Sequence, residues 1–445
     1  MSNLSLLAFF ALLILVIQLL GCPVAYAFGF GSVIFLIVTG GKLGAVALTA
    51  FESTASYSFL AIPLFIMAGE LMTTSGIASR LVSFCATILK RFKGGMGMAV
   101  ILASMLFGML TGSNIATITC VAGILLPMMT KMGWEKSYVA ALLAAAGPLG
   151  YMIPPNNNAI MYAVISNCSP NDLFLSTIIP GIIWGVLMMV VKRLVYEKAY
   201  HPELATPDMR EMALADGVKE PAKIYLKDVG HSLYKAIPAL IMPLIIFGGI
   251  YGGVFSATEA GAVASLYAIL IGVLLYKKIT RKGLWKAFNS VGAQMGVILF
   301  MTPFCAIFTR ILMQNQVPQM IADWFISLSD NRIMLLLIID VVLLIAGFFL
   351  GVTVIIFVLT PLLLPTALAL GVSAIQFGCI LFVAIGCGNI TPPCCPNLFI
   401  SAKIANVPVV KCFKTIFQYF FFTGIPMLLL VTFIPGLSEW LPSLI

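Results

Sequence analysis

Long apolar runs follow one another along almost the whole chain and are separated by short polar stretches. A membrane span needs about 20 apolar residues, so a chain of this length has room for roughly ten to thirteen membrane elements. Only 9% of the residues are charged, whereas soluble globular proteins carry about 25%. Since so few charges cannot cover a surface for water, the sequence predicts an all-α polytopic membrane protein.

The net charge of +9 is concentrated in short loops. Lys90, Arg91 and Lys93 lie between two apolar runs, and the loop 277–286 contains five basic residues and no acid. Short basic loops of this kind are retained in the cytoplasm. The positive balance therefore indicates membrane topology, and we expect no nucleic-acid partner.

No motif for a cofactor, a transition metal or catalysis is present in the sequence. The ten cysteines include no C-x-x-C pair and the chain has only two histidines, so a zinc or redox site is not expected. The chain also lacks a G-x-x-x-x-G-K-[ST] loop, which argues that it does not hydrolyse ATP. We predict that it is not an enzyme.

Two halves of the chain resemble each other. A shift of 238 residues superimposes five Gly or Pro positions within about thirty residues; these pairs are Pro127 with Pro365, Gly133 with Gly371, Gly150 with Gly388, Pro154 with Pro392, and Pro155 with Pro393. Internal duplication of this kind is typical of secondary transporters. The comparison alone does not decide between parallel and inverted repeats. We expect inverted repeats, because broken helices of the kind described below normally meet head to head at the bilayer midplane.

The polar segment 192–235, with eight basic and seven acidic residues, divides the halves and predicts a cytoplasmic connector with surface helices. The remaining expected units are N-terminal scaffold spans (1–50), a first repeat (51–191), two further scaffold spans (236–290), a second repeat (291–434) and a C-terminal tail (435–445).

Each half contains a Pro-Pro pair inside apolar sequence, in GYMIPPNNNAIMY (150–162) and in GNITPPCCPNLFI (388–400). Two successive prolines end a helix, and the freed backbone groups are tolerated in a membrane only against a cavity, an ion or other protein. We predict broken helices at 150–158 and 388–397. About forty residues earlier, Gly-containing interruptions predict re-entrant hairpins with tips near 111–117 and 347–353.

Four charged residues stand inside apolar runs, namely Glu70, Glu259, Arg310 and Asp340. Because a charge at the centre of a span costs on the order of 2.5–3.5 kcal/mol, such residues usually have a partner or a function. The sequence leaves open whether each is functional or structural.

The sequence resembles the large membrane subunit of the tripartite ATP-independent periplasmic (TRAP) transporters. The resemblance rests on LAIPLFIMAGELM (60–72), TGSNIAT (111–117), GYMIPPN (150–156), GGVFSATEAGAVASLY (252–267), LTPLLLPTALALGV (359–372) and GNITPPCCPNLF (388–399). It implies a bacterial inner-membrane transporter with an elevator mechanism, driven by Na⁺. Its implied partners are a small four-helix membrane subunit and a soluble periplasmic binding protein.

The resemblance also implies roles for individual residues. One sodium site would use Thr111, Ser113, Gly150, Ile153 and Pro155, and its counterpart would use Gly347, Gly351, Gly388, Thr391 and Cys394. A small organic anion would bind near Ser113, Asn114, Asn156, Asn157, Asn158 and Asn397.

The chain departs from the family pattern at these sites, with Thr111 for a serine, three asparagines after Pro155, Gly351 for an acid, and Cys394 and Cys395 after the second Pro-Pro. We therefore expect an anion other than the commonest carboxylates, such as a small sulfonate. A stand-alone ion-coupled symporter or antiporter of related fold is the main alternative, followed by a channel and a membrane-embedded enzyme.

Overall fold

The computed structural model describes residues 13–14, 16–17, 20–41, 44–195, 200–207, 209, 222–329, 331–392 and 395–444. Over these residues the regular secondary structure is helical, and the only β-type pairing is an isolated bridge between Trp134 and Tyr200. The predicted all-α class is confirmed.

The helices of the first half are α1 (Val24–Thr39), α2 (Gly44–Thr54), α3 (Ala61–Thr74), α4 (Ile77–Leu89), α5 (Gly95–Thr111), α6 (Asn114–Lys131), α7 (Lys136–Ala146), α8 (Leu149–Met152), α9 (Asn157–Ser166) and α10 (Pro170–Val195). Those of the second half are α11 (Ala222–Tyr251), α12 (Ala257–Leu270), α13 (Arg281–Gln314), α14 (Val317–Leu328), α15 (Arg332–Phe349), α16 (Val352–Val354), α17 (Thr360–Ala369), α18 (Ala374–Ile390), α19 (Pro396–Ala405), α20 (Phe413–Tyr419), α21 (Ile425–Phe433) and α22 (Gly436–Glu439).

Among the described residues, nine helices are long and apolar enough to cross a membrane, or ten if the bent pair Lys136–Met152 and Asn157–Ser166 is one span. The two members of that pair are inclined by 50°. This number agrees with the lower end of the range expected from the apolar runs. The chain is a multi-pass membrane protein.

Four elements contain the interruptions that the sequence predicts. The first hairpin consists of α5 and α6, and the first broken helix of α7, α8 and α9. The second hairpin consists of α15 and the segment Val352–Ala369, in which a π-helical stretch, Ile355–Leu359, joins α16 to α17. The second broken helix consists of α18 and α19.

The two broken helices cross in opposite chain directions. The side-chain amide nitrogen of Asn397 approaches Gly147, the Tyr151 hydroxyl lies 3.4 Å from the Phe382 carbonyl oxygen, and the Tyr162 hydroxyl donates a 2.6 Å bond to the Ala374 carbonyl. Advancing along the first broken helix thus means moving backwards along the second. The two elements therefore pack antiparallel to each other.

Helices α3, α12 and α13 pack together beside the first hairpin. A Cβ on Gly261 of α12 would stand 3.0 Å from the Leu64 Cβ of α3, and the Ser265 hydroxyl donates a 2.7 Å bond to the Leu64 carbonyl. Small residues permit such close approach between helices in membranes. We call α3, α12 and α13 the scaffold helices.

The polar connector predicted at 192–235 is shorter in the structure, because helices extend into it from both ends. Helix α10 continues to Val195, and α11 already begins at Ala222. Lys192, expected on a surface, is fully buried and donates a hydrogen bond to the Gly94 carbonyl at the base of the first hairpin. The ammonium also lies 5.0 Å from the centroid of the Trp134 ring, and this cation–π contact offsets part of the cost of burying its charge.

All four charged residues in apolar runs have hydrogen-bond partners, and that of Asp340 is the Thr432 hydroxyl. Glu259 closes a capping box at the start of α12, where its carboxylate accepts a 2.7 Å bond from the Ser256 amide. This arrangement satisfies free amides at a helix start. Arg310 donates a 2.6 Å bond to the Thr49 hydroxyl of α2.

Candidate functional site

The first hairpin turns at Gly112 and Ser113, inside the predicted tip. Gly112 has a φ of +58°, a conformation that glycine adopts without steric cost. Ser113 then caps α6, because its hydroxyl accepts a 3.4 Å bond from the Ala116 amide. Two residues therefore reverse the chain, and the Ser113 carbonyl accepts a 3.1 Å bond from the Thr117 amide at the start of the α6 ladder.

The first broken helix is interrupted between Met152 and Asn157, as the Pro-Pro pair predicts. Asn156 organises the break: its side chain donates a 2.5 Å bond to the Tyr151 carbonyl and accepts a 2.8 Å bond from the Asn158 amide. Asn156 is thus the cap of α9, a role that favours asparagine. This structural task accounts for Asn156 and for the backbone of Asn158, which the sequence assigned to substrate.

The tip of the first hairpin lies directly against this break. A Cβ on Gly112 would stand 2.6 Å from the Pro155 carbonyl oxygen, and a Cβ on Gly108 would stand 2.4 Å from the Gly150 Cα. A side chain at Gly112 or at Gly108 would overlap the facing backbone, so this approach requires glycine at these two positions. Glycine at both positions therefore brings the two interrupted elements into backbone contact.

Several oxygen atoms gather at this contact. The Thr117 hydroxyl lies 2.7 Å from the Ser113 carbonyl oxygen and 3.4 Å from the Thr111 hydroxyl, which is itself 3.5 Å from the Ser113 carbonyl. A Cβ on Gly150 would fall 2.6 Å from the Thr117 hydroxyl and 3.2 Å from the Ser113 carbonyl. Hard cations prefer such clusters of hydroxyl and carbonyl oxygens.

The structure thus brings together Thr111, Ser113, Gly150 and Pro155, four of the five residues assigned to the first sodium site. The fifth, Ile153, lies in the break with its side chain against Gly181 of α10. Thr117 belongs to the same cluster and is fully buried.

The second hairpin repeats the backbone contact. A Cβ on Gly388 of α18 would stand 2.3 Å from the Gly347 carbonyl carbon of α15, which repeats the close approach of Gly108 to the Gly150 backbone in the first half. Thr391 ends α18, and its hydroxyl donates a 2.7 Å bond to the Cys387 carbonyl. Gly347, Gly388 and Thr391 therefore lie at one crossing.

Gly351, which was also assigned to the second sodium site, is not packed against that crossing. A Cβ on Gly351 would meet no atom within 4 Å, and the Gly351 carbonyl accepts a 3.1 Å bond from the Ile355 amide. Cys394 lies outside the described residues.

A pair of asparagines joins the two halves, one at the first hairpin tip and one just after the second break. The Asn114 side-chain amide donates a 2.8 Å bond to the side-chain oxygen of Asn397. Asn397 is fully buried, and its own amide nitrogen has no hydrogen-bond partner among the described residues. Asn157 is also buried and leaves its side-chain oxygen unpaired within that part of the chain. Buried polar atoms are rarely left in this state, so a water or a ligand is expected there.

Neither tip carries any formal charge. The stretches 108–119, 147–158, 347–356 and 386–400, which form the hairpin tips and the breaks, contain no Asp, Glu, Lys or Arg. Their electrostatics come from backbone carbonyls and from the starts of α6, α9 and α19, where free amides carry partial positive charge.

Sequence reasoning named Thr117 only as part of a polar stretch and did not include Gly108 or Gly69 in the site. Gly69 of α3 lies against the tip, since a Cβ there would stand 2.9 Å from the Thr111 Cα. For Gly108 the 238-residue repeat offers a signal, because Gly108 matches Gly347 with one residue of slippage. No sequence signal links Gly69 to the site.

The family model described as "Tripartite ATP-independent periplasmic transporter, DctM component" matches residues 10–437. The chain belongs to this family. The TRAP resemblance is confirmed, and the chain is a large permease subunit and not an enzyme. With its multiple apolar helices, it is a multi-pass protein of the bacterial inner membrane.

Individual DctM relatives extend over most of the chain. A large permease named for C4-dicarboxylate from Pseudomonas aeruginosa is 32% identical over 93% of this chain and 92% of its own length. An isethionate TRAP permease, DctMQ, from Oleidesulfovibrio alaskensis is 32% identical over 97% of this chain and 65% of its own length. A sialic acid TRAP large permease from Vibrio cholerae is 29% identical over 87% of both chains.

The fold is shared with solved transporter structures. The YdaH transporter of Alcanivorax borkumensis superimposes with a TM-score of 0.64 at 18% identity, covering 90% of each chain. MtrF of Neisseria gonorrhoeae gives a TM-score of 0.61 at 13% identity, covering 98% of this chain and 95% of its own. At these identities the likeness concerns the fold alone.

Proposed function

We propose that this chain carries a small organic anion across the inner membrane together with Na⁺, as the transport subunit of a binding-protein-dependent TRAP system. The observation that carries the proposal is the uncharged cluster of oxygens where the first hairpin tip meets the first break. Thr111, Ser113, Thr117, Gly150 and Pro155 contribute to it. A cluster of this composition suits a hard monovalent cation.

Electrostatics connect the cation to the anion. An anion taken from water into a buried site needs compensating positive charge. The tips and breaks contain no Lys or Arg, so the charge must come from bound Na⁺ and from the helix starts that face the tips. Sodium binding at one site, and at a second near Gly347, Gly388 and Thr391, would then precede or accompany anion binding.

The anion itself would bind between the tips, where Asn114 and Asn397 join the two halves. The unpaired amide nitrogen of Asn397 is a donor suited to a carboxylate or sulfonate oxygen. Ser113 and Asn157 would complete the site. The relatives are named for C4-dicarboxylate, isethionate and sialic acid, and we propose a compact anion, a small sulfonate above the dicarboxylates, because the departures from the family pattern, which include Asn157, cluster at the proposed sodium and substrate sites.

The movement that we propose is of the elevator type. The opposite directions of the two broken helices are what inverted repeats require, and the hairpins with their breaks would move as one unit past the scaffold helices. The remaining components would be a small four-helix membrane subunit and a soluble periplasmic binding protein.

Uptake into proteoliposomes tests the proposal. The chain is reconstituted with its small membrane subunit, and radiolabelled isethionate or succinate is supplied with the binding protein outside, in the presence of a sodium or a choline gradient. We expect saturable uptake that needs both Na⁺ and the binding protein. Sodium-independent uptake would refute the coupling, uptake without the binding protein would favour a stand-alone symporter, and non-saturable passive flux would favour a channel.

A further inference from the structure

A cavity of about 560 Å³ lies between the first hairpin and the scaffold helices α3 and α13. Thr111 and Ser113 of the tip line it, as do the hydroxyl residues Thr73 of α3 and Thr119 of α6. The cavity therefore reaches the oxygen cluster proposed for Na⁺. Within the described part of the chain, its one lining residue with a formal charge is Glu70 of α3.

Glu70 is held in place by neutral groups. Its Oε1 atom accepts a 2.7 Å bond from the Ser290 hydroxyl and a 3.1 Å bond from the Gln294 amide, both on α13. No ion pair of Glu70 with a basic residue is found in the described ranges. These contacts orient the carboxylate without neutralising it, so its negative charge acts on the cavity.

The position of Glu70 places it between the tip and the cytoplasmic surface. The preceding residue, Gly69, packs on Thr111 at the tip. In the other direction α3 ends four residues later, and Gly76 lies against the side chain of Lys278 in the basic loop 277–286. Since short basic loops face the cytoplasm, the cavity runs from the oxygen cluster towards that side.

We propose that Glu70 forms a transient sodium site in this cavity, on the path by which the ion passes between the hairpin tip and the cytoplasm. Its carboxylate, the hydroxyls of Thr73 and Thr119, and water supply oxygen ligands that suit Na⁺. A single negative charge in a narrow cavity raises the local cation concentration and repels anions. This inference rests on the proposed sodium coupling and adds to it the route of the ion.

The substitution Glu70→Gln tests the proposal, because it removes the charge and keeps the size and an acceptor for Ser290. Uptake is measured in proteoliposomes that contain the small membrane subunit, with the binding protein outside only, so that active molecules all have their cytoplasmic side inside. Sodium is then varied independently outside and inside. Glu70→Asp retains the charge, and Glu259→Gln removes a carboxylate at the capped start of α12, outside the cavity.

We expect Glu70→Gln to raise the internal Na⁺ concentration that half-inhibits uptake by about 10-fold, the lower end of the range for electrostatic steering. The external Na⁺ concentration for half-maximal uptake should change less than about twofold, since the tip ligands are intact. Internal Na⁺ should inhibit uptake by the Glu70→Asp and Glu259→Gln variants at the same concentration as in the wild type. Unchanged internal inhibition in a folded, active Glu70→Gln protein would overturn this inference alone, whereas sodium-independent uptake by the wild type would overturn the proposed coupling as well.

Discussion

The glycines Gly150 and Gly123 form a matched pair for testing whether the oxygen cluster binds Na⁺. A methyl group on Gly150 would stand 2.6 Å from the Thr117 hydroxyl and 3.2 Å from the Ser113 carbonyl oxygen. A methyl group on Gly123, in the same hairpin as Thr117, would meet no atom within 4 Å. Alanine is tolerated in a helix at either position, so the two substitutions differ mainly in this contact.

The expected size of the effect follows from the overlap. Extra methyl groups in packed interiors cost about 1–3 kcal/mol, and Gly150→Ala can avoid its overlap only by moving the break away from the hairpin tip. If this separation opposes the sodium-bound geometry, the Na⁺ concentration for half-maximal uptake rises between about 5-fold and about 150-fold. Gly123→Ala should leave this concentration unchanged within about twofold.

Uptake at increasing external Na⁺ measures the effect in proteoliposomes, and thermal unfolding of the purified protein with and without Na⁺ provides a second measurement that needs no partner. The stabilisation that Na⁺ confers should be smaller in Gly150→Ala than in Gly123→Ala, because a ligand stabilises the folded state according to its affinity. Equal sodium dependence of the two variants in both measurements would refute the assignment of Na⁺ to this cluster.

Three further substitutions test other parts of the site. Gly388→Ala places a methyl group 2.3 Å from the Gly347 carbonyl carbon and should lower the uptake rate and the melting temperature, at a cost of about 1–3 kcal/mol in unfolding free energy; an unchanged melting temperature would contradict the close crossing. Thr117→Val removes a hydroxyl from the oxygen cluster and should raise the half-maximal Na⁺ concentration by about tenfold, whereas Thr130→Val, near the other end of the same helix with its hydroxyl on the Pro127 carbonyl, should not. Asn397→Ala removes the acceptor of the 2.8 Å bond between the halves and should raise the half-maximal anion concentration by about 5- to 100-fold; a changed sodium dependence with normal anion dependence would place Asn397 in a sodium site instead.

The tips and breaks could be located from the sequence because proline and glycine act locally. Two prolines end a helix wherever they occur, and the structure interrupts the chain between Met152 and Asn157, inside the predicted 150–158. The turn at Gly112 and Ser113 likewise lies inside the predicted 111–117. The membrane class followed from apolar length alone.

Contacts between elements could not be predicted in the same way, because they depend on how helices cross. Thr117 reaches the oxygen cluster because Gly112 and Ser113 reverse the chain in two residues and aim the first turn of α6 back at Thr111. Gly351 lies at the second turn as expected, yet a Cβ there would face open space. The capping role of Glu259 could have been predicted from the sequence, since Ser256 stands three residues before it in the S-x-x-E pattern of a capping box.

The absence of charge at the tips also determines how the membrane voltage can act. Moving one elementary charge across 100 mV changes the free energy by about 2.3 kcal/mol. Because the hairpin tips and breaks contribute no formal charge, the membrane voltage would not act through these residues on the return of the empty site. In the loaded site, the voltage would act only on the net charge of the bound sodium ions and the anion. The valence of the anion would therefore decide whether transport by the same site moves net charge across the membrane.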